Sequence, residues 1–419
     1  MNRIVLIGNG FDLAHGLATR YEDFINWYWE GWKNNFIVCH ESWDHDDLCK
    51  LSLDLEETRD RKETWHSLLH SHMHSFQAMT GMEFYDYLMS YDVIIKKLTP
   101  LLAAIMHDVK HQNWVDIERI YYRLLCDSLK ENSVVTHIDL NNQLAALTNK
   151  LHEYLKSTEE NIDKNNILKR TVQRKIFSPI NPKEIATSAS KQKRDYIDQL
   201  KDSDPQLLYW KLRDYEERHQ QLQFYISDSI RKIKDDEKII EQNFQMVSSL
   251  FLPEQIMFVN FNYTSIADLY VPNRQHNQTF SVNHIHGSLD DPKSIIFGYG
   301  DEMDKHYEEL SDVNDNDYLN NVKSIKYLEA SNHRKLLEFI ESAPYQIYIM
   351  GHSCGNSDRT LLNRLFEHEN CISIKPFYYV KPDGTDNYRE IVQNISRNFK
   401  DKNSLRDKVV NKEFCETLI

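Results

Sequence analysis

The 419-residue sequence predicts an α/β fold: a parallel, doubly wound sheet with a large all-α insertion, mainly helical overall. Three observations predict it. A short β-branched run, Arg3 to Ile7 (RIVLI), opens the chain and stops at Gly8. Comparable β-rich runs return only after Gln255. Between them strand signals almost vanish and apolar residues recur at helical spacing. With only 11 glycines and 10 prolines, helix is further favoured, and 41% hydrophobic residues suffice for a packed core.

The elements follow in order. Residues 3–7 read as a buried strand. After Gly16, the residues Tyr21, Phe24, Trp27 and Tyr28 form an aromatic helix face. Residues 84–110, 113–130 and 140–158 have helical periodicity, with Asn113 as N-cap of the second. That second helix reads as solvated, with Trp114 in the core; the alternatives for Glu118 are a pair with Arg123 or a place facing a cleft. Residues 157–200 are polar and partly basic and read as a mobile arm, and residues 207–244 as one long helix or two in series. Strand-like runs then appear as QIMFVN, SVNHIHGS, SIIFGYG, YQIYIMGHS and ISIKPFYYV, with a helix, DRTLLNRLFEHE, between the last two. One strand cannot make a sheet alone, so residues 3–7 join the later strands. The expected core is therefore residues 1–35 with 250–400, the helical insertion is 36–249, and a charged tail spans 401–419.

A formal net charge of -14 argues against a nucleic-acid coat, which needs clustered Lys and Arg. The six cysteines form no C-x-x-C pair, so a disulfide framework or zinc knuckle is not expected, and a reducing cytoplasm fits. No apolar run reaches the roughly 20 residues that span a bilayer, so no membrane partner is expected.

Four stretches carry candidate chemistry. Gly8 and Gly10 follow a strand and open a helix, the geometry of a phosphate-binding turn, although Gly16 departs from G-x-G-x-x-G. In VNFNYT, strand alternation would place Asn260, Asn262 and Thr264 on one side. In VNHIHGS, His284 and His286 alternate, and His286, beside Gly287, suits a general base. In IMGHSCGNSD, Gly351, Ser353 and Asp358 follow a strand; G-H-S-C-G also resembles a nucleophile elbow, but the available partners His368 and Asp386 come in the wrong order for its acid and then histidine. His66, His70 and His74, with His72, could share a helix face, yet no H-E-x-x-H completes a metal site and no metal is expected.

The order of these motifs resembles sirtuin-like NAD-binding domains. Gly8, Gly10 and Gly16 reproduce the spacing of that family's glycine turn. Residues 261–264 stand at its Q-N-x-D, His286–Gly287 at its H-G and residues 351–354 at its G-T-S-L. Thr264 replaces an aspartate, and the zinc-ribbon cysteines of the deacylases are missing. The opening IGNGFDLAHGLATRYEDF is similar to the signature of the AbiH family of bacterial abortive-infection proteins. NWVDIE, FVNFNYT, HIHGS, IIFGYGDE and GHSCGNSD are similar to it too, over about 4–380.

The resemblances imply a Rossmann-like core and an anti-phage effector that hydrolyses NAD+ to nicotinamide and ADP-ribose. NAD+ is then the substrate. Gly8 and Gly10 amides would hold its pyrophosphate, with Asn9, Phe11 and Gly16 in the same turn, and Asp12 near the nicotinamide ribose. Asn262 would orient ribose or water, His286 would be the base, Asn260, Thr264, Gly287 and Gly351 would line the site, and Ser353 and Asp358 would contact the adenosine half. The expected partners are NAD+ or a related nucleotide, a second copy of the chain and a phage-derived trigger. Two other readings stay open: a nucleotide-binding sensor without catalysis, and a nucleic-acid-targeting toxin using the basic stretch 164–194.

Overall fold

The computed structural model describes residues 1–38, 46–53, 76–90, 94–111, 116–133, 135–202, 251–272 and 278–419. Among them run strands β1 (Asn2–Ile7), β2 (Cys49–Leu53), β3 (Ile94–Leu98), β4 (Gln255–Asn260), β5 (Thr279–His284), β6 (Tyr345–Met350) and β7 (Cys371–Phe377). Five form an all-parallel sheet in the order β5-β4-β1-β6-β7, while β2 and β3 pair antiparallel. Helix outweighs strand several-fold among the described residues.

The strand β1 is apolar on both faces because both faces are covered. Ile4 and Leu6 join Ile347, Ile349, Leu362 and Leu365 in one buried cluster. Val5 and Ile7 join Phe258, Tyr348, Val172 and Ile176 in the other. Helices Asn332–Ser342, Arg359–Glu367 and Tyr388–Arg397 supply apolar stripes to the first cluster.

The chain divides into two compact units. The first comprises Met1–Leu17, Ile162–Ile296 and Lys326–Ile419 and holds the parallel sheet; the second comprises Ala18–Asn161 and Phe297–Ile325. This division differs from the expected boundaries at 35 and 250. The helix Tyr21–Val38 belongs to the second unit, and residues 162–202 to the first. Nor is the insertion all-α, since it carries the β2–β3 ladder. The run IIKKL is short and β-branched, and Pro100 starts a new helix, Pro100–His111, after it. SIIFGYG, conversely, forms no strand: Pro292–Ser294 is a 3-10 turn and Tyr299 makes an isolated bridge to Val322.

The stretch 157–200, expected as a mobile arm, is largely helical. Helices Lys164–Ile167, Arg170–Ile176 and Ser190–Asp202 occupy it, and Val172, Ile176 and Ile180 are fully buried. Buried Arg3 fastens it, donating to the carbonyls of Ile176 at 2.8 Å and Ser178 at 2.5 Å while lying 4.0 Å over the Tyr348 ring. Gln346 donates to Glu184 at 3.0 Å, and Lys375 pairs with Glu184 at 2.8 Å. The charged tail also packs: Val409 and Thr417 bridge to β7 and its continuation, and Leu418 is buried.

In the second unit, Asp116 caps the helix Ile117–Asp127 by accepting from the Arg119 amide. Glu118 pairs with Lys323 at 2.9 Å, rather than with Arg123. The residues Asn113, Trp114, His66, His70, His72, His74 and the helix expected over 207–244 lie outside the described residues. Among the described residues no helix is long and apolar enough to cross a membrane.

Candidate active site

The loops after β1, β4, β5 and β6 all leave the carboxyl edge of the parallel sheet, within the first unit. That edge is where open α/β sheets hold ligands.

The β4 strand stops at Asn260, so alternation does not carry on to Asn262 and Thr264. Instead the chain turns. Asn260 Oδ1 accepts from the Asn262 amide at 3.0 Å, and its Nδ2 donates to the Thr264 carbonyl at 3.0 Å. Asn260 and Thr264 are buried, and the Thr264 hydroxyl donates to Asp12 Oδ2 at 2.7 Å. Asn260, Thr264 and Asp12 thus brace the β4 loop against the first turn. Asn262 is half-buried and donates from Nδ2 to the Gly8 carbonyl at 3.0 Å.

The first turn does not match the expected phosphate cradle. The Gly10 amide donates to the Gly351 carbonyl at 2.8 Å, and the Gly8 amide points to the Met350 carbonyl at 3.4 Å. Both amides expected for pyrophosphate are therefore engaged by the end of β6. The glycines permit this approach: a Cβ on Gly8 would lie 2.6 Å from His352 Cα, and one on Gly351, at φ 77°, would lie 2.0 Å from the Phe11 nitrogen. Helix Asn9–Ala14 is one and a half turns long and Gly16, in left-handed backbone, ends it, with the Gly16 and Leu17 amides returning to Leu13 and Asp12 carbonyls. Asn9 is exposed on this turn.

Phe11 is buried core, its ring centroid 4.4 Å from His15 and 5.5 Å from Tyr270. A chain of hydrogen bonds fixes His15. The Lys169 amide donates to the Tyr270 hydroxyl at 3.0 Å, which lies 2.6 Å from His15 Nε2, while Nδ1 lies 2.7 Å from the Phe11 carbonyl. A carbonyl only accepts, so Nδ1 carries the proton and Nε2 accepts from tyrosine. Burial lowers the His15 pKa, which fits this neutral tautomer.

The ionisable cluster lies where the β5 and β6 loops meet. His286 Nε2 is 3.2 Å from Asp358 Oδ1 and 3.0 Å from the Tyr327 hydroxyl. His352 Nε2 is 3.6 Å from the other Asp358 oxygen. Phe261 packs against both imidazoles, at 5.1 Å edge-on from His286 and 4.1 Å from His352. His286 is 4% exposed and Asp358 8%, so their interaction is weakly screened by water. Gly287, beside His286, sits against Ser294 so tightly that a Cβ would lie 2.1 Å from its carbonyl oxygen. Asp358, expected at the adenosine half, is the partner of this histidine.

His284 does not converge with His286. Its Nε2 faces Asp268 at 3.0 Å, so the two histidines hold different carboxylates. Ser353 is exposed, and its carbonyl accepts from Asn394 at 2.8 Å. Among the described residues the non-glycine one in left-handed backbone is instead Cys354, φ 54°, whose buried thiol is pushed well up in pKa by desolvation and so stays protonated. Neither residue has the surroundings of a nucleophile.

Sequence reasoning missed Tyr327, His352 and the central place of Phe261. His352 stood inside a motif already singled out, whereas SIKYLEA around Tyr327 carries no signal. An imidazole whose Nε2 faces both a carboxylate and a phenol can be stabilised as imidazolium once the ring takes up a proton.

A family model described as bacteriophage abortive infection AbiH matches residues 4–379. A search of curated proteins and a search of solved structures found no match.

Proposed function

The chain belongs to the bacteriophage abortive infection AbiH family, and on that premise we propose that it acts in anti-phage defence by hydrolysing the N-glycosidic bond of NAD+. The observation that carries this reading is the pairing of His286 with Asp358 at 3.2 Å, at the carboxyl edge of a parallel sheet. The strand order supports it as well. Counting only the parallel strands in chain order, it is 3-2-1-4-5, the arrangement of dinucleotide-binding doubly wound sheets, which favours a Rossmann-like, sirtuin-like core.

In this reading His286 takes a proton from water as the water attacks C1′ of the nicotinamide ribose. The C1′–N bond breaks and its electron pair passes to the pyridine nitrogen, leaving neutral nicotinamide and ADP-ribose. Asp358 stabilises the imidazolium that forms. Tyr327 and Phe261 orient the ring, and Asn262 is a positioning residue that holds the first turn. The pyrophosphate is not assigned to the Gly8 and Gly10 amides, which are engaged elsewhere.

The test is cellular NAD+ after phage challenge, in cells carrying the wild type or His286→Ala. NAD+ falling with the wild type alone, together with loss of protection in the variant, is the expected result. Protection at unchanged NAD+ would contradict hydrolysis and favour a nucleotide sensor.

A further inference from the structure

We propose that His137, Asp315 and Asp317 bind one divalent transition-metal ion of the Zn2+ or Mn2+ class. All three lie in the second unit, and the inference is independent of NAD+ hydrolysis. It also departs from the metal-free expectation of the sequence, in which these residues are far apart.

His137 is the first residue of the helix His137–Glu160. Asp315 caps the 3-10 turn Asn316–Tyr318, and Asp317 lies within that turn. One nitrogen or oxygen ligand atom from each of the three lies within 4.8 Å of the others. The histidine nitrogen supplies the informative detail. His137 Nε2 is closed off from solvent and makes no hydrogen bond, although Asp315 Oδ2 is only 2.9 Å away. A simple imidazolium–carboxylate pair would align its N–H with the oxygen at that distance. Two donors close together but not aimed at each other are arranged to share a third atom. Ligands about 2.1 Å from one ion stand about 3.0–3.4 Å apart at 90–109°, close to the separation here.

The surroundings hold the donors in place. Asp315 Oδ1 accepts from the Asp317 amide at 3.0 Å, leaving Oδ2 toward the histidine. Asp317 Oδ1 accepts from Asn320 at 2.7 Å. The Tyr318 ring stacks on His137 at 4.1 Å and 18°, fixing the plane of the imidazole. Asn141, one helical turn after His137, donates to the Asp317 carbonyl at 2.8 Å and so ties the turn to the helix. Such supporting contacts orient the ligands of metal sites. One imidazole and two carboxylates, without thiolate, select an ion of borderline to hard character and leave positions for water. The ion would join the turn at 315–318 to the start of the helix.

The test is isothermal titration of the purified, chelator-treated full chain with Zn2+ and, separately, Mn2+. The panel contains the wild type, His137→Ala, Asp317→Asn and a variant with His66, His70, His72 and His74 all changed to Ala. One equivalent is expected in the wild type and the four-histidine variant, with affinity at least tenfold weaker in His137→Ala and Asp317→Asn. Metal should also raise the thermal midpoint of the wild type and not of Asp317→Asn, whose metal-free midpoint serves as the folding control. Equal affinity in wild type and Asp317→Asn, no binding in the wild type, or binding lost only with the four histidines would each overturn the proposal.

Discussion

At the scale of single residues, histidines in this chain take their roles from their partners. His286 faces a carboxylate and a phenol, whereas His15 is wired as a neutral ring between a phenol and a carbonyl. Protonating His15 would put a charge in a desolvated place and remove the acceptor for Tyr270. Its folded pKa lies below the ordinary 6.5, chiefly through burial. The unfolded chain therefore binds the proton more readily, and stability contributed by neutral His15 is complete above about pH 6.5 and lost as pH falls toward the folded value. Denaturant unfolding of wild type and His15→Gln at pH 7.5 and 5.5 checks this. The wild type should lose more stability than the variant on acidification, and parallel losses would contradict the assignment.

At the scale of elements, the first turn and the end of β6 are a matched pair. Gly351 has positive φ and its Cα hydrogen faces the Phe11 backbone. Alanine there costs about 1–2 kcal/mol from left-handed backbone alone, and the 2.0 Å clash adds to it. Gly351→Ala should therefore be destabilised well beyond Gly16→Ala, whose added methyl meets nothing within 4 Å though it carries the same backbone strain. Midpoints of chemical denaturation compare the two, and equal losses would mean that the loops separate freely. The strands β1, β4 and β6 were legible because each carries a short apolar run ended by a polar or glycine residue. The β2–β3 ladder was not, because IIKKL is flanked by helical sequence that absorbs it. The supposed arm misled by its charge: Val172 and Ile176, four apart, face the core, Arg174 between them is exposed, and Lys175 donates to the Thr417 carbonyl at 2.6 Å. Buried Arg3 left no mark in RIVLI to show that it fastens a segment some 170 residues away in sequence.

At the scale of the whole molecule, membership of the bacteriophage abortive infection AbiH family suggests the role, and the chemistry proposed for it is argued from the first unit's sheet edge. That loops after β1, β4, β5 and β6 gather there was legible from motif order. Which side chains touch was not, because contact between His286 and Asp358 depends on strand order and not on spacing. The expected glycine cradle failed for the same reason: a sequence shows that Gly8 and Gly10 permit close approach, but not that β6 is what approaches. The most direct measurement is nicotinamide release from NAD+ by protein purified from phage-challenged cells, comparing wild type, His286→Ala and Asp358→Asn. A general base contributes about 10²–10⁴-fold. Wild-type turnover should therefore fall at least about 100-fold in His286→Ala, and Asp358→Asn should lower kcat more than it raises KM. Turnover unchanged in His286→Ala, or absent from folded wild type that still protects cells, would contradict the account.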